Sequence, residues 1–162
     1  MKINSEAIFS YLDWMRLKFD INLSDKSVFP NKKEIWWASL GQNIGVEING
    51  KHTRFERPVL VVHVFNSESI LVVPITTKVK YGKYIYEFVT SFNEKRSANL
   101  SQIRTISTKR LVRKLEILND VDYDQIIFKI CSFLGKAETP SSGVSSEFTN
   151  SEQSKLSIDE DV

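Results

Sequence analysis

Residues 56–77 read Glu-Arg-Pro-Val-Leu-Val-Val-His-Val-Phe-Asn-Ser-Glu-Ser-Ile-Leu-Val-Val-Pro-Ile-Thr-Thr. Two runs dense in valine, leucine and isoleucine, Pro58–Phe65 and Ile70–Ile75, flank the polar stretch Asn66-Ser67-Glu68-Ser69. Branched side chains suit a pleated, half-buried surface, and a polar connection this short joins strands as an antiparallel hairpin. Working outward, Glu34–Ser39 (Glu-Ile-Trp-Trp-Ala-Ser) reads as a strand before the pair. Tyr84–Val89 follows a turn at Gly82, and Ala98–Leu100, Gln102–Ile106 and Lys114–Ile117 complete a series of short strands. Such a series, with few long helices, predicts a mainly β fold: a small, strongly curved antiparallel sheet or barrel.

Helical period appears on both sides of that body. Ile8, Tyr11, Leu12, Met15 and Phe19 recur at steps of three and four between Asn4 and Phe19, with Ser5 as a candidate N-cap. This predicts an amphipathic helix that docks on the body, covers a sheet edge or meets a partner; the pattern does not choose. Asp122–Leu134 carries the stripe Ile126, Ile127, Ile130, Phe133 and Leu134, with a capping pattern in Asp122 and Gln125 and a stop at Gly135. Cys131 lies beside this stripe and reads as a small packing residue. After Pro140 the chain turns serine-rich and acidic, the composition of a disordered tail. The expected organisation is therefore a helix and linker over 1–30, a β domain over 31–136 and a tail over 137–162.

Apolar residues make up 41% of the 162 and charged ones 26%, a globular composition, and the apolar runs are too short to cross a bilayer as helices. A lone cysteine excludes an internal disulfide or a thiolate zinc site, and no basic-then-apolar leader pattern opens the chain. A cytoplasmic protein is expected. Residues 31–136 hold seventeen basic and ten acidic side chains, whereas 137–162 hold one basic and six acidic. A basic body suits an anionic partner, nucleic acid above all; the competing reading is a solvated lysine-rich surface.

Phosphate-loop, dinucleotide, zinc-protease and serine-hydrolase signatures are absent from the sequence. His52 and His63 lack carboxylates or thiols at ligand spacing, so neither a metal nor another cofactor is expected. What remains is charge beside the central hairpin. Arg57 opens the first strand ahead of a proline, and Thr76, Thr77 and Lys78 close the second. If the two strands pair, the start of one lies beside the end of the other, and Arg57 and Thr76 converge on one pocket. Lys51 and Arg54 stand in the loop just before it. Trp36 and Trp37 point to opposite faces of their strand, one to the core and the other to packing or to a stacked base.

These stretches resemble the MazF/PemK family of toxin endoribonucleases. The resemblance rests on Trp36-Trp37-Ala38-Ser39-Leu40-Gly41, Gly45-Val46-Glu47, Arg57-Pro58-Val59-Leu60-Val61-Val62, Pro74-Ile75-Thr76-Thr77 and Leu100-Ser101-Gln102-Ile103-Arg104-Thr105-Ile106, in that order over roughly 32–135. It implies an SH3-like small antiparallel β-barrel with a C-terminal helix, usually dimeric, that cuts single-stranded RNA without a metal and is blocked by a cognate antitoxin. It further implies that Arg57 and Thr76 are catalytic and that Glu47 matches a glutamate suggested as a base in some members. Gln102 and Arg104 match a motif close to the site, and with Thr77, Lys78, Lys51 and Arg54 they are the candidate RNA contacts. The ten-position step from Glu47 to Arg57 is longer than in the shorter members, and the N-terminal helix and acidic tail lie outside the resemblance. The alternative function is a non-catalytic SH3-like module that binds nucleic acid or protein.

Overall fold

Alternation along the strands divides the apolar residues between two cores. The computed structural model describes residues 5–78 and 81–135. Its order is α1 (Ser5–Leu23), β1 (Glu34–Ser39), β2 (Glu56–Val64), β3 (Ser69–Thr76), β4 (Ile85–Val89), β5 (Lys95–Asn99), β6 (Arg104–Ser107), β7 (Leu111–Ile117) and α2 (Asp120–Leu134), with single 3-10 turns after β5 and β6. All pairings are antiparallel, and the strands run β4-β5-β3-β2-β1-β7 with β6 also on β3. Leu60 and Val62 of β2 join Ile35, Val73 and Ile75 in one core beneath α2, while Val59 and Val61 join Ala38, Val72, Ile106 and Leu111 in the other. A period of two sends neighbours to opposite faces, so one strand serves both cores.

The β3 strand makes the curvature. Ser69–Val72 pair with β6, and Ile75 and Thr76 pair with β5. Pro74, which has no N–H to give, falls in the gap between these two partners. The end strands β4 and β7 approach through side chains: the backbone N–H and hydroxyl of Ser91, in the β4–β5 turn, both donate to Glu116 of β7, at 2.9 and 2.8 Å. The fold is thus the expected mainly β, SH3-like antiparallel barrel with a helix at either end.

The helices differ in detail from the sequence expectation. Ser5 already lies within α1, and among the described residues of α1 it is Trp14 that is buried. The predicted stripe is exposed, from 45% at Tyr11 to 65% at Met15. Trp14 sits over Gly41, edge-on to Phe55 at 5.6 Å and beneath the Arg110 guanidinium at 5.4 Å. Tyr11 donates to the Asn43 carbonyl and Ser10 accepts from Gln42, so polar bonds hold the rest of the helix. In α2 the cap is Asn119, not Asp122: its side chain accepts from the Asp122 N–H and donates to the Asp122 carboxylate. Gly135 ends the helix with φ at +94°. Tyr123, Ile126 and Ile130 are buried, whereas Leu134 and Cys131 are exposed, so Cys131 is not a packing residue. The tail expected over 137–162 lies outside the described residues. Among those described, no helix is long and apolar enough to cross a membrane.

Candidate active site

The β2–β3 register pairs Val59 with Pro74, so the first residues of β2 stand beside the last of β3. Arg57 and Thr76 line one cleft of about 210 Å³ there, together with Trp37, Lys51, His52, Glu56 and Thr77 over a floor of Pro58 and Ile75. The Arg57 Nε–H donates to the Asn49 carbonyl at 2.9 Å, which fixes the tilt of its fork. Burial pushes the guanidinium pKa down from its usual value, yet an arginine keeps its charge at neutral pH. The Thr76 hydroxyl accepts from the Lys78 N–H at 3.3 Å, turning the chain at the cleft edge.

The long connection between β1 and β2 forms two tiers. In the upper tier, Asn43 donates to the Ile48 carbonyl and its N–H is taken by the Asn49 side chain. Gln102 reaches across from the turn after β5 to accept from the Ile48 N–H at 3.1 Å. In the lower tier, Lys51 and Glu56 exchange two backbone hydrogen bonds, at 2.9 and 3.0 Å, and close a short turn over 52–55. His52 and Phe55 take left-handed φ values of 59° and 50° to make that turn, a conformation uncommon for residues with a side chain. Phe55 is buried, so the turn is seated on the body. Gly50 is required beneath it, because a Cβ there would stand 1.7 Å from the Phe55 carbonyl oxygen.

Glu56 is a buried acid within the cleft wall. One oxygen pairs with Arg113 at 2.8 Å; the other accepts no hydrogen bond among the described residues, and Arg54 stands 3.7 Å from it. Arg113 also lies over the Trp37 ring at 4.8 Å. Of the pair of tryptophans, Trp36 packs on the second core and Trp37 lines the cleft, the opposite-face arrangement expected of neighbours in a strand.

The structure brings Arg57, Thr76, Thr77 and Lys51 together and leaves Lys78 and Arg54 exposed at the margin. Glu47 stands apart on an exposed turn, where its carboxylate accepts from the Ile44 N–H at 3.3 Å. Gln102 is occupied in pinning the loop, and Arg104, on β6, lies near Arg110, whose pKa is pushed down by burial and then by this second cation. His52 and Glu56 carry no site role in the sequence reading, whereas Trp37 is one of the two tryptophans weighed there for packing or for a stacked base. His52 follows a loop lysine in the sequence, and the turn closed by Lys51 and Glu56 places it in the cleft lining. Among the described residues, no group of three or more His, Cys, Asp or Glu side chains is placed to hold a metal ion.

Comparison with solved structures finds the same fold. MazF from Deinococcus radiodurans is 16% identical, with 67% of this chain and 99% of that one covered and a TM-score of 0.54. An endoribonuclease in complex with its cognate antitoxin from a mycobacterial species is 15% identical over 65% of this chain and 95% of its own, with a TM-score of 0.51. A MazE–MazF structure from Deinococcus radiodurans is 14% identical over 67% and 97%, with a TM-score of 0.50. No curated protein matches the sequence. The family model for the PemK-like, MazF-like toxin of type II toxin–antitoxin systems matches residues 31–134, from just before β1 to the end of α2. The chain therefore belongs to the PemK/MazF toxin family.

Proposed function

We propose that this chain is a metal-independent endoribonuclease that cleaves single-stranded RNA by attack of the 2′-hydroxyl on the adjacent phosphorus. The observation that carries the reading is the shared cleft of Arg57 and Thr76. The attack crowds a fifth oxygen onto phosphorus and adds negative charge to its non-bridging oxygens. A planar, permanently charged fork meets two such oxygens at once, and an adjacent hydroxyl donates to another. The arginine thus fills the electrostatic role that a metal ion fills in other nucleases. Lys51, Thr77 and the marginal Lys78 and Arg54 contact the flanking phosphates, and Trp37 offers a face for a base. Gln102 and Arg104 act at one remove, through the loop and the neighbouring surface.

Family membership supports a physiological setting in which the chain is a cytoplasmic homodimer held inactive by a cognate antitoxin. One structural neighbour is an endoribonuclease in complex with its cognate antitoxin, and another is a MazE–MazF structure. The test is incubation of purified protein with a defined RNA, with and without EDTA, followed by mapping of the ends. Cutting that persists in EDTA and leaves 2′,3′-cyclic phosphate is expected. Arg57→Ala should reduce the rate about a hundred- to a thousandfold, the usual effect of losing one preorganised donor. Cutting that vanishes in EDTA overturns the mechanism. RNA that is shifted in a gel but never shortened favours the binding-module alternative.

A further inference from the structure

Attack by a 2′-hydroxyl needs a proton acceptor, and neither a charged guanidinium nor a threonine hydroxyl serves. Glu47 is a poor fit, since it stands outside the cleft with its carboxylate bound to its own turn. Glu56 is inside the wall but is committed to Arg113 through one oxygen, and the other is shut off from solvent. His52 lines the cleft beside Arg57 and Thr76 with an exposed side chain. Its backbone is held in the left-handed region at a turn clamped by the Lys51–Glu56 pair, closed by the Phe55 N–H on the His52 carbonyl at 3.1 Å and seated by buried Phe55. A residue kept in such a conformation by its surroundings marks a place where position matters. The second histidine, His63, is on β2 and packs edge-on against Phe65, at 5.0 Å.

We propose that His52 is the proton acceptor for the 2′-hydroxyl in this cleft. This rests on the endoribonuclease reading above. An imidazole nitrogen takes the 2′-hydroxyl proton as the bond from the 2′-oxygen to phosphorus forms and the bond from phosphorus to the 5′-oxygen breaks. The products are a 2′,3′-cyclic phosphate and a 5′-hydroxyl. The departing 5′-oxygen takes its proton from water, and the imidazolium returns its own to solvent. Imidazole suits the task because it changes charge near neutrality, where it both accepts and releases a proton readily. The charged groups that share the cleft with it are Lys51, Arg57 and Glu56, with Arg54 and Arg113 paired to Glu56. The contributions of β1 and β3 to the cleft, Trp37, Ile75, Thr76 and Thr77, are uncharged.

The experiment measures single-turnover cleavage of a defined RNA across pH by the wild type, His52→Gln and His63→Gln, alongside binding of the same RNA made uncleavable with 2′-O-methyl groups. The wild-type rate should fall on the acid side as the base is protonated. In His52→Gln the rate should drop about a hundred- to ten-thousandfold and the acid limb disappear, with affinity for the uncleavable RNA kept. The limb should remain in His63→Gln. A His52→Gln protein that keeps wild-type rate and acid limb overturns the proposal, as does one that loses rate only because it no longer binds. Failure of the wild type itself to cut RNA would instead remove the endoribonuclease reading, so the two failures are distinct.

Discussion

Arg57 makes a demand on one side-chain shape, whereas Gly50 makes one on the absence of any. Arg57→Lys keeps the charge but loses both the planar fork and the Nε–H that meets the Asn49 carbonyl. It is expected to fall short of the wild-type cleavage rate by about a hundredfold or more, with an unchanged melting temperature by circular dichroism. Gly50→Ala should act through structure, because its new methyl would collide with backbone at Phe55 rather than with a side chain that can swing away. The turn over 52–55 must shift, and both stability and cutting should fall together in that variant. Arg57 and Thr76 were legible in the sequence because each stands at the end of a regular strand, where pairing alone dictates proximity. His52 was not, since its direction depends on left-handed backbone at two positions and on a glycine contact that no local pattern announces. Glu47 lies outside the cleft lining on a separate turn, in the long stretch that the ten-position step to Arg57 already marks in the sequence.

At the level of elements, periodicity found both helices and the packing face of α2, where Ile126 and Ile130 are buried with Ile127 and Phe133 against them, but not the residue by which α1 is held. The stripe in α1 left open whether it docks on the body, covers a sheet edge or meets a partner; Ile8, Leu12 and Phe19 are exposed, and Trp14 is the anchor. The reason is that burial of α1 is decided by what lies beneath: Gly41 offers the flat spot for an indole, with Phe55 and Arg110 on its flanks. Trp14→Ala removes that anchor, at a cost of about 3–5 kcal/mol where the site cannot collapse. Limited proteolysis should then cut readily between α1 and β1 and leave a protected fragment beginning near β1; equal resistance of wild type and variant would refute the anchor. The strands were better foretold, because alternating burial follows directly from the pleat. The β5 strand was drawn too short, starting at Ala98 rather than Lys95, because Lys95 and Arg96 are partly solvent-facing and break the apolar pattern.

At the scale of the whole fold, the buried carboxylate of Glu34 ties stability to acid. Glu34, 5% exposed, opens β1. Burial pushes its pKa up, but hydrogen bonds from the Asn31 N–H, Trp36 Nε1 at 2.8 Å, Lys114 Nζ at 3.0 Å and the Asn31 side chain outweigh burial and leave the value lowered. A carboxyl whose folded value is lowered stabilises the fold above its unfolded value and loses that contribution as pH falls through the folded one. Denaturation at neutral pH and in acid should show a loss of stability in the wild type that is much smaller in Glu34→Gln, which starts about 3 kcal/mol less stable. On the alkaline side Tyr86, pushed up to about 12 by burial and then by its bond to Asp122, has the opposite sign. Its contribution is whole below the ordinary tyrosine range and fades as pH climbs through about 12.

The edge contact between Trp14 and Phe55 gives the N-terminal helix a hold on a distant place. Phe55 is the footing of the turn that carries Lys51 and His52, so the indole acts as a keystone for a structure to which α1 contributes no wall. Backbone amides at Lys51 and Glu56 should exchange with deuterium faster once the keystone is removed, while those at the middle of β2 stay slow. An event on α1, whether a protease nick or a grip on its exposed apolar flank, would thereby slacken the Arg57–Thr76 cleft without ever touching it.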